Sequence, residues 1–189
     1  MSETSPPQPG AIGNIAAVWG IVGVCMLLLS ALLRLAPVAW DALTGPLTGG
    51  QWAFTVGFAV FMAYGEGYRG FQKAFSPRVI ARARWLRHRP SPARVLLAPM
   101  FCMGLFHATA KRMKVSWSIT SMVVLLIVSV GQLPAPWRGL VDAGVVLGLT
   151  WGLLAILGWG VWTLRGGPLP VPPDVPDNAS LKTGLATVD

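Results

Sequence analysis

The chain has 189 residues, 53% of them hydrophobic and only 12% charged. Soluble domains carry about 25% charged residues, so a soluble globular domain is excluded and a single membrane domain is implied. The formal net charge is +8, but the bases lie between apolar runs. Membrane topology and anionic lipid head groups therefore account for them before nucleic acid does, and no nucleic-acid partner is expected.

Residues 1–11 are polar and Pro-rich and predict a disordered N-terminus. Residues 1–10 lack Lys and Arg, so they do not supply the basic start of a cleavable signal peptide. The first span is then expected to be retained. A transmembrane domain is expected over 12–165. Its first span, 12–33, carries no charge and has the length that a bilayer core needs. Pro37 is expected to end that helix, and Trp40 to sit at the interface. The second apolar run, 52–64, reaches only about 20 Å as a helix. The second span must therefore extend over about 51–71, which draws Glu66 and Arg69 into its inner end. Gly65, Gly67 and Gly70 surround this pair and invite a helix break. On a regular helix Glu66, Arg69 and Lys73 share one face, with the acid N-terminal to the bases, the favourable order.

Ser76 and Pro77 make a good helix start, and a helix is expected over about 76–89. Val79, Ile80, Ala83 and Leu86 form its apolar arc. Arg78, Arg82, Arg84, Arg87 and Arg89 take the flanks and back. This pattern predicts a basic amphipathic helix lying in the interface plane, with its arginines on lipid head groups. Segment 95–108 is apolar but short, is interrupted by Pro99, and has bases on both flanks. It is expected to enter the membrane and return, or to lie flat on it. The third span, 115–133, carries several hydroxyls. The fourth, 140–164, has Gly144, Gly148 and Gly152 every fourth residue. That spacing leaves a bare groove for close helix packing, within the bundle or between copies. Residues 166–189 are Pro-rich and predict a disordered tail.

Four spans with both termini cytoplasmic put thirteen of the fifteen Lys and Arg inside, leaving out Arg34 and Arg138. The fold class expected is therefore an all-α integral membrane protein. It is a four-helix bundle with one re-entrant or interfacial segment and one basic surface helix. The richness in Arg, Ala, Gly and Pro suits the inner membrane of a GC-rich bacterium.

Chemistry is sparse. Cys25 and Cys102 fall inside apolar runs and read as small buried hydrophobes. The two histidines, His88 and His107, have no metal-ligand spacing, and no metal or cofactor is expected. The candidate polar site gathers Glu66, Tyr68, Arg69 and Lys73 with His107, Lys111 and Arg112 at the inner membrane edge. Glu66 either pairs with Arg69 or Lys73 as a structural lock or serves as a substrate or proton group. Three functions follow. The first is a non-catalytic scaffold or accessory subunit whose basic face binds anionic lipid, with a membrane-protein partner or a homo-oligomer as the alternatives for its assembly. The second is a small transporter or channel using Glu66 and Arg69. The third is an enzyme acting on a lipid head group through Glu66 and His107. The scarcity of acids favours the non-catalytic reading.

Overall fold

A computed structural model describes residues 10–176, and among these every regular element is helical. The helices are α1 (Ala11–Thr44), α2 (Gly49–Met62), a π-helical segment (Ala63–Phe75), α3 (Ser76–His88), α4 (Pro92–Leu96), α5 (Ala98–Met103), α6 (Ala110–Gly131) and α7 (Trp137–Leu164). Three of them, α1, α6 and α7, are long and apolar enough to cross a membrane. The α2, π and α3 segments abut, so one helical rod runs from Gly49 to His88.

Two expectations about helix ends are corrected. Pro37 lies inside α1, which continues to Thr44. A proline there removes one backbone donor, but α7 supports the helix beyond it. A Cβ on Gly139 would sit 2.3 Å from Ala42 Cβ and 2.6 Å from the Val38 carbonyl, so the two helices are in backbone contact. The break expected around Gly65–Gly70 is also absent. The chain widens into the π segment instead and keeps its hydrogen-bonded course. The start of α2 is fixed by a capping box: Thr48 accepts from the Gln51 backbone, and the Gln51 side chain accepts from the Thr48 N–H.

Helices α1 and α7 are antiparallel. The start of α7 lies on Val38 and Ala42, while Gly160 reaches Ile80 of α3, whose far end lies on Gly13 of α1. Small residues on one face of α1 make these approaches possible. Gly13 meets the Arg87 carbonyl, Gly20 meets Cys102 and Ala98, and Gly23 meets Pro99. With Ala16, which is fully buried, they recur at three- and four-residue steps, the spacing of a single helix face.

The same contacts trace the path of α4 and α5 along α1. Arg87 lies beside Gly13 and Asn14, the Trp19 indole donates to the Leu96 carbonyl, and Pro99 packs on Gly23. From Gly13 to Gly23 is about 15 Å of helix. The chain then turns back, with Cys102 beside Gly20 and Met103 and Leu105 accepting from Ser116 and Trp117 of α6. Gly104, at φ +78°, makes the reversal in a conformation that favours glycine.

The buried cluster sits at one end of the molecule. It joins Ala16 and Val24 of α1, Val79, Ile80, Ala83 and Leu86 of α3, Ala98, Phe101 and Cys102 of α5, Ile156 of α7 and Val175 of the tail. The predicted apolar arc of α3 is thus the centre of this core. The expectation of a helix lying on the surface is not met, because eight of its thirteen residues are buried between α1, α5 and α7. The tail is corrected in part. Residues 166–176 are docked on the bundle and Val175 is completely buried, whereas the rest of the expected disordered tail, like residues 1–9, lies outside the described residues. By contrast α6 stands apart, with Ser116 its one buried residue.

Candidate functional site: two charged groups within the bundle

Glu66 lies in the π segment, against the middle of α7. A Cβ on Gly148 would come 2.9 Å from Glu66 Oε2, so the glycine makes the room the carboxyl group occupies. The neighbouring glycines act alike: Gly144 receives Phe58 and Met62, and Gly152 receives Phe71. The glycines at every fourth residue of α7 therefore form a seam for this chain's own second helix. The contacting positions 58, 62, 66 and 71 step by four, four and five residues. That last step matches the wider turn of a π-helix, with its i→i+5 hydrogen bonds.

The widened turn also undoes the shared face expected for Glu66, Arg69 and Lys73. Arg69 is exposed, and the Lys73 ammonium sits 4.4 Å over the Tyr68 ring. No ion pair or hydrogen bond joins the Glu66 carboxyl group to another described residue. Glu66, expected at the inner end of the second span, lies against Gly148 near mid-length of α7. π-helical turns are enriched at functional sites.

The second charged group is Arg82. It is 1% exposed and lies at the heart of the basic end. Its Nε donates to the Phe101 carbonyl (2.5 Å), Nη1 to those of Pro173 (2.8 Å) and Asp174 (3.4 Å), and Nη2 to those of Phe106 (3.1 Å) and His107 (3.0 Å). The Phe101 ring stacks 4.2 Å beneath the guanidinium. Burial pushes this guanidinium down to about 10, so it remains charged at neutral pH. Two of the carbonyls belong to non-glycine residues in the left-handed region, His107 at φ +48° and Asp174 at φ +51°. Such conformations are uncommon for residues with a side chain and persist where the surroundings fix them.

Around this cage the tail is fastened three ways. The Asp174 carboxylate lies 3.5 Å from Arg78 Nε, the Asp174 carbonyl accepts from the Thr109 N–H at 2.9 Å, and Val175 fills the core. His107 stands over Phe101 and Trp85 in the loop before α6.

The residues of the predicted polar site are thus divided. Glu66 is at the glycine seam, and His107 is in the cage. Gly148 and Gly160 are about 18 Å apart along α7, and the cage lies beyond Gly160, so Glu66 and His107 cannot act on one reacting group. Lys111 is exposed, and Arg112 is half-buried. The arginines of α3 are divided too. Arg82 is caged, Arg78 is paired with Asp174, Arg87 donates to Asn14 Oδ1 at 2.6 Å, and Arg84 and Arg89 are exposed. The expectation that all five contact lipid head groups therefore fails for Arg82, because the helix is embedded and the carbonyls replace the phosphate. Two features escaped the sequence reading. One is the small-residue face of α1, visible in the steps Gly13, Ala16, Gly20 and Gly23. The other is the buried Asp142 with Arg138 at the opposite end of the molecule, legible as a pair four residues apart. Cys25 and Cys102 are free thiols, and no metal-binding cluster occurs among the described residues. The chain matches no protein-family model, no curated protein and no solved structure.

Proposed function

We propose that this is a non-catalytic scaffold or accessory subunit of a bacterial inner membrane, whose basic cytoplasmic face holds anionic lipid or the acidic surface of a membrane partner. It crosses four times, by α1, by α2 with the π segment, by α6 and by α7. The α4–α5 segment enters beside α1 and returns, and both termini are cytoplasmic. The carrying observation is how charge is distributed. All the Lys and Arg among the described residues except Arg34 and Arg138 come from the π segment, from α3 to the start of α6, and from the end of α7. The carboxylate at that end among the described residues is Asp174, and it is engaged by Arg78. Arg69, Arg84, Lys111 and Lys114 stand exposed with no described carboxylate partner. Each base near an anionic membrane surface contributes about 1 kcal/mol.

Reconstitution in nanodiscs tests this reading. The melting temperature is expected to be higher in phosphatidylglycerol than in phosphatidylcholine. The triple variant Arg84→Gln, Lys111→Gln, Lys114→Gln should lose most of that difference. Equal melting temperatures in the two lipids would contradict the lipid-binding face.

A second reading, a small transporter using Glu66, is favoured by one observation: the carboxyl group sits at mid-bundle without an ion partner among the described residues. A correctly folded Glu66→Gln protein that fails to complement a deletion strain would move the function to that site.

A further inference from the structure

Along the outer side of α7 runs an open groove of about 630 Å³. Its wall is made by Gln72 of the π segment with Trp151, Leu154, Gly158, Trp159 and Trp162 of α7. Gln72 fixes two of the three indoles: its side-chain oxygen accepts from Trp151 Nε1 at 2.9 Å and its backbone carbonyl from Trp159 Nε1 at 3.0 Å. The third, Trp162 Nε1, donates to the Pro168 carbonyl at 3.2 Å. All three N–H groups are thus satisfied within the protein, the Thr150 hydroxyl donates to the Val146 carbonyl, and the groove surface is mainly aromatic and aliphatic.

The lining runs from Leu147 to Trp162, about 22 Å along a helix. That is the depth of one lipid monolayer, half of the roughly 40–45 Å of a bilayer with its head groups. The groove ends where the bases begin. Arg165 follows Trp162 by three residues and so continues the same face at the exit of α7, and it is exposed. Glycine at 158 keeps the middle open, for a Cβ there would meet nothing within 4 Å.

We infer that this groove is a binding site for one acyl chain of an anionic phospholipid of the cytoplasmic leaflet, with the head-group phosphate on Arg165. The inference rests on the basic face being cytoplasmic and gives that face a defined lipid position. Length and charge together select the occupant: an apolar trough as deep as one leaflet, followed three residues beyond its last lining residue by an exposed cation.

Quenching of tryptophan fluorescence by lipids brominated on the acyl chain tests it. Wild-type protein is reconstituted with brominated phosphatidylglycerol or brominated phosphatidylcholine, beside Gly158→Leu and Arg165→Gln. A Cβ at 158 meets nothing within 4 Å, so the leucine enters the groove from its floor. Wild type is expected to prefer phosphatidylglycerol roughly fivefold, the factor that one lysine or arginine supplies at a membrane surface. Arg165→Gln should bring the ratio for the groove tryptophans near unity while their quenching by both lipids persists. Gly158→Leu should remove the component due to the groove tryptophans. Identical quenching of wild type and Gly158→Leu overturns the groove. So does absence of that component in wild type with a change of oligomer size in Gly158→Leu, which would assign the groove to a second copy. Either result leaves the basic face intact if phosphatidylglycerol still raises the melting temperature of both proteins. Loss of that rise in wild type instead removes the basic-face reading itself.

Discussion

Glu66 and Arg82 are both charged residues held inside one helical rod, and the bundle treats them in opposite ways. Arg82 receives five backbone carbonyls and an aromatic face. Glu66 receives a glycine. A buried cation surrounded by acceptors fastens every segment that contributes one, here α5, the loop before α6 and the tail. A carboxyl group given only room fastens nothing. The contrast separates a group retained for architecture from one whose presence architecture does not require.

The contrast can be broken from the Arg82 side with the largest effect. Arg82→Leu strands carbonyls from three segments. Loss of a buried charge with its partners left behind costs on the order of 3–5 kcal/mol, enough to remove most folded protein in a detergent thermal melt. Arg82→Lys should recover little, because an ammonium cannot reproduce the spread of a guanidinium over five acceptors.

Gly148→Leu comes next. Its side chain enters the space of Glu66 and pushes the π segment off α7, an overpacking that costs about 1–3 kcal/mol. The melting temperature should fall, whereas Gly158→Leu, one helix face away, should leave it unchanged. Equal behaviour of the two would show that the seam is not tightly packed.

Val175→Ala probes the tail. Removing two buried methyl groups costs about 1–2 kcal/mol and should expose the tail to limited proteolysis just after Leu164. A proteolysis pattern identical to wild type would detach the tail from the core.

The smallest effect is expected at Glu66. A structural ion pair with Arg69 or Lys73 would make Glu66→Gln destabilising. With no such pair in the bundle, the substitution should change stability by no more than about 0.5 kcal/mol. A clear loss of stability would restore the structural role.

What the sequence made legible follows from which physical rule it invoked. The apolar arc Val79, Ile80, Ala83 and Leu86 was readable because a regular helix fixes which residues share a side, and all four are buried. Arg82 was not readable as buried. Its acceptors are brought from between 19 and 92 residues away, and a wheel drawn on one helix contains none of them. The glycines of α7 were readable from their spacing, but what fills them was not. The π segment changes the residues that face α7, and its own periodicity leaves no simple mark in the sequence. Composition misjudged the start of the tail for a similar reason. A Pro-rich stretch lacks intrinsic structure, yet Asp174 and Val175 gain an ion pair, a backbone hydrogen bond and a buried site once the basic end has folded. At Pro37 the local rule was outweighed by the close contact of α1 with Gly139.

The four-span topology depends most on the path of α4 and α5, since a crossing there would carry α6 and everything after it to the other side. Single cysteines at Ser91 and Lys111, in a chain with Cys25→Ala and Cys102→Ala, should be treated with a membrane-impermeant maleimide in right-side-out and inverted vesicles. Both sites should react only in inverted vesicles, because the chain that enters along α1 to Pro99 returns to the same face. Reaction of the two sites from opposite sides would contradict the re-entrant path, the four-span topology and the cytoplasmic basic face together.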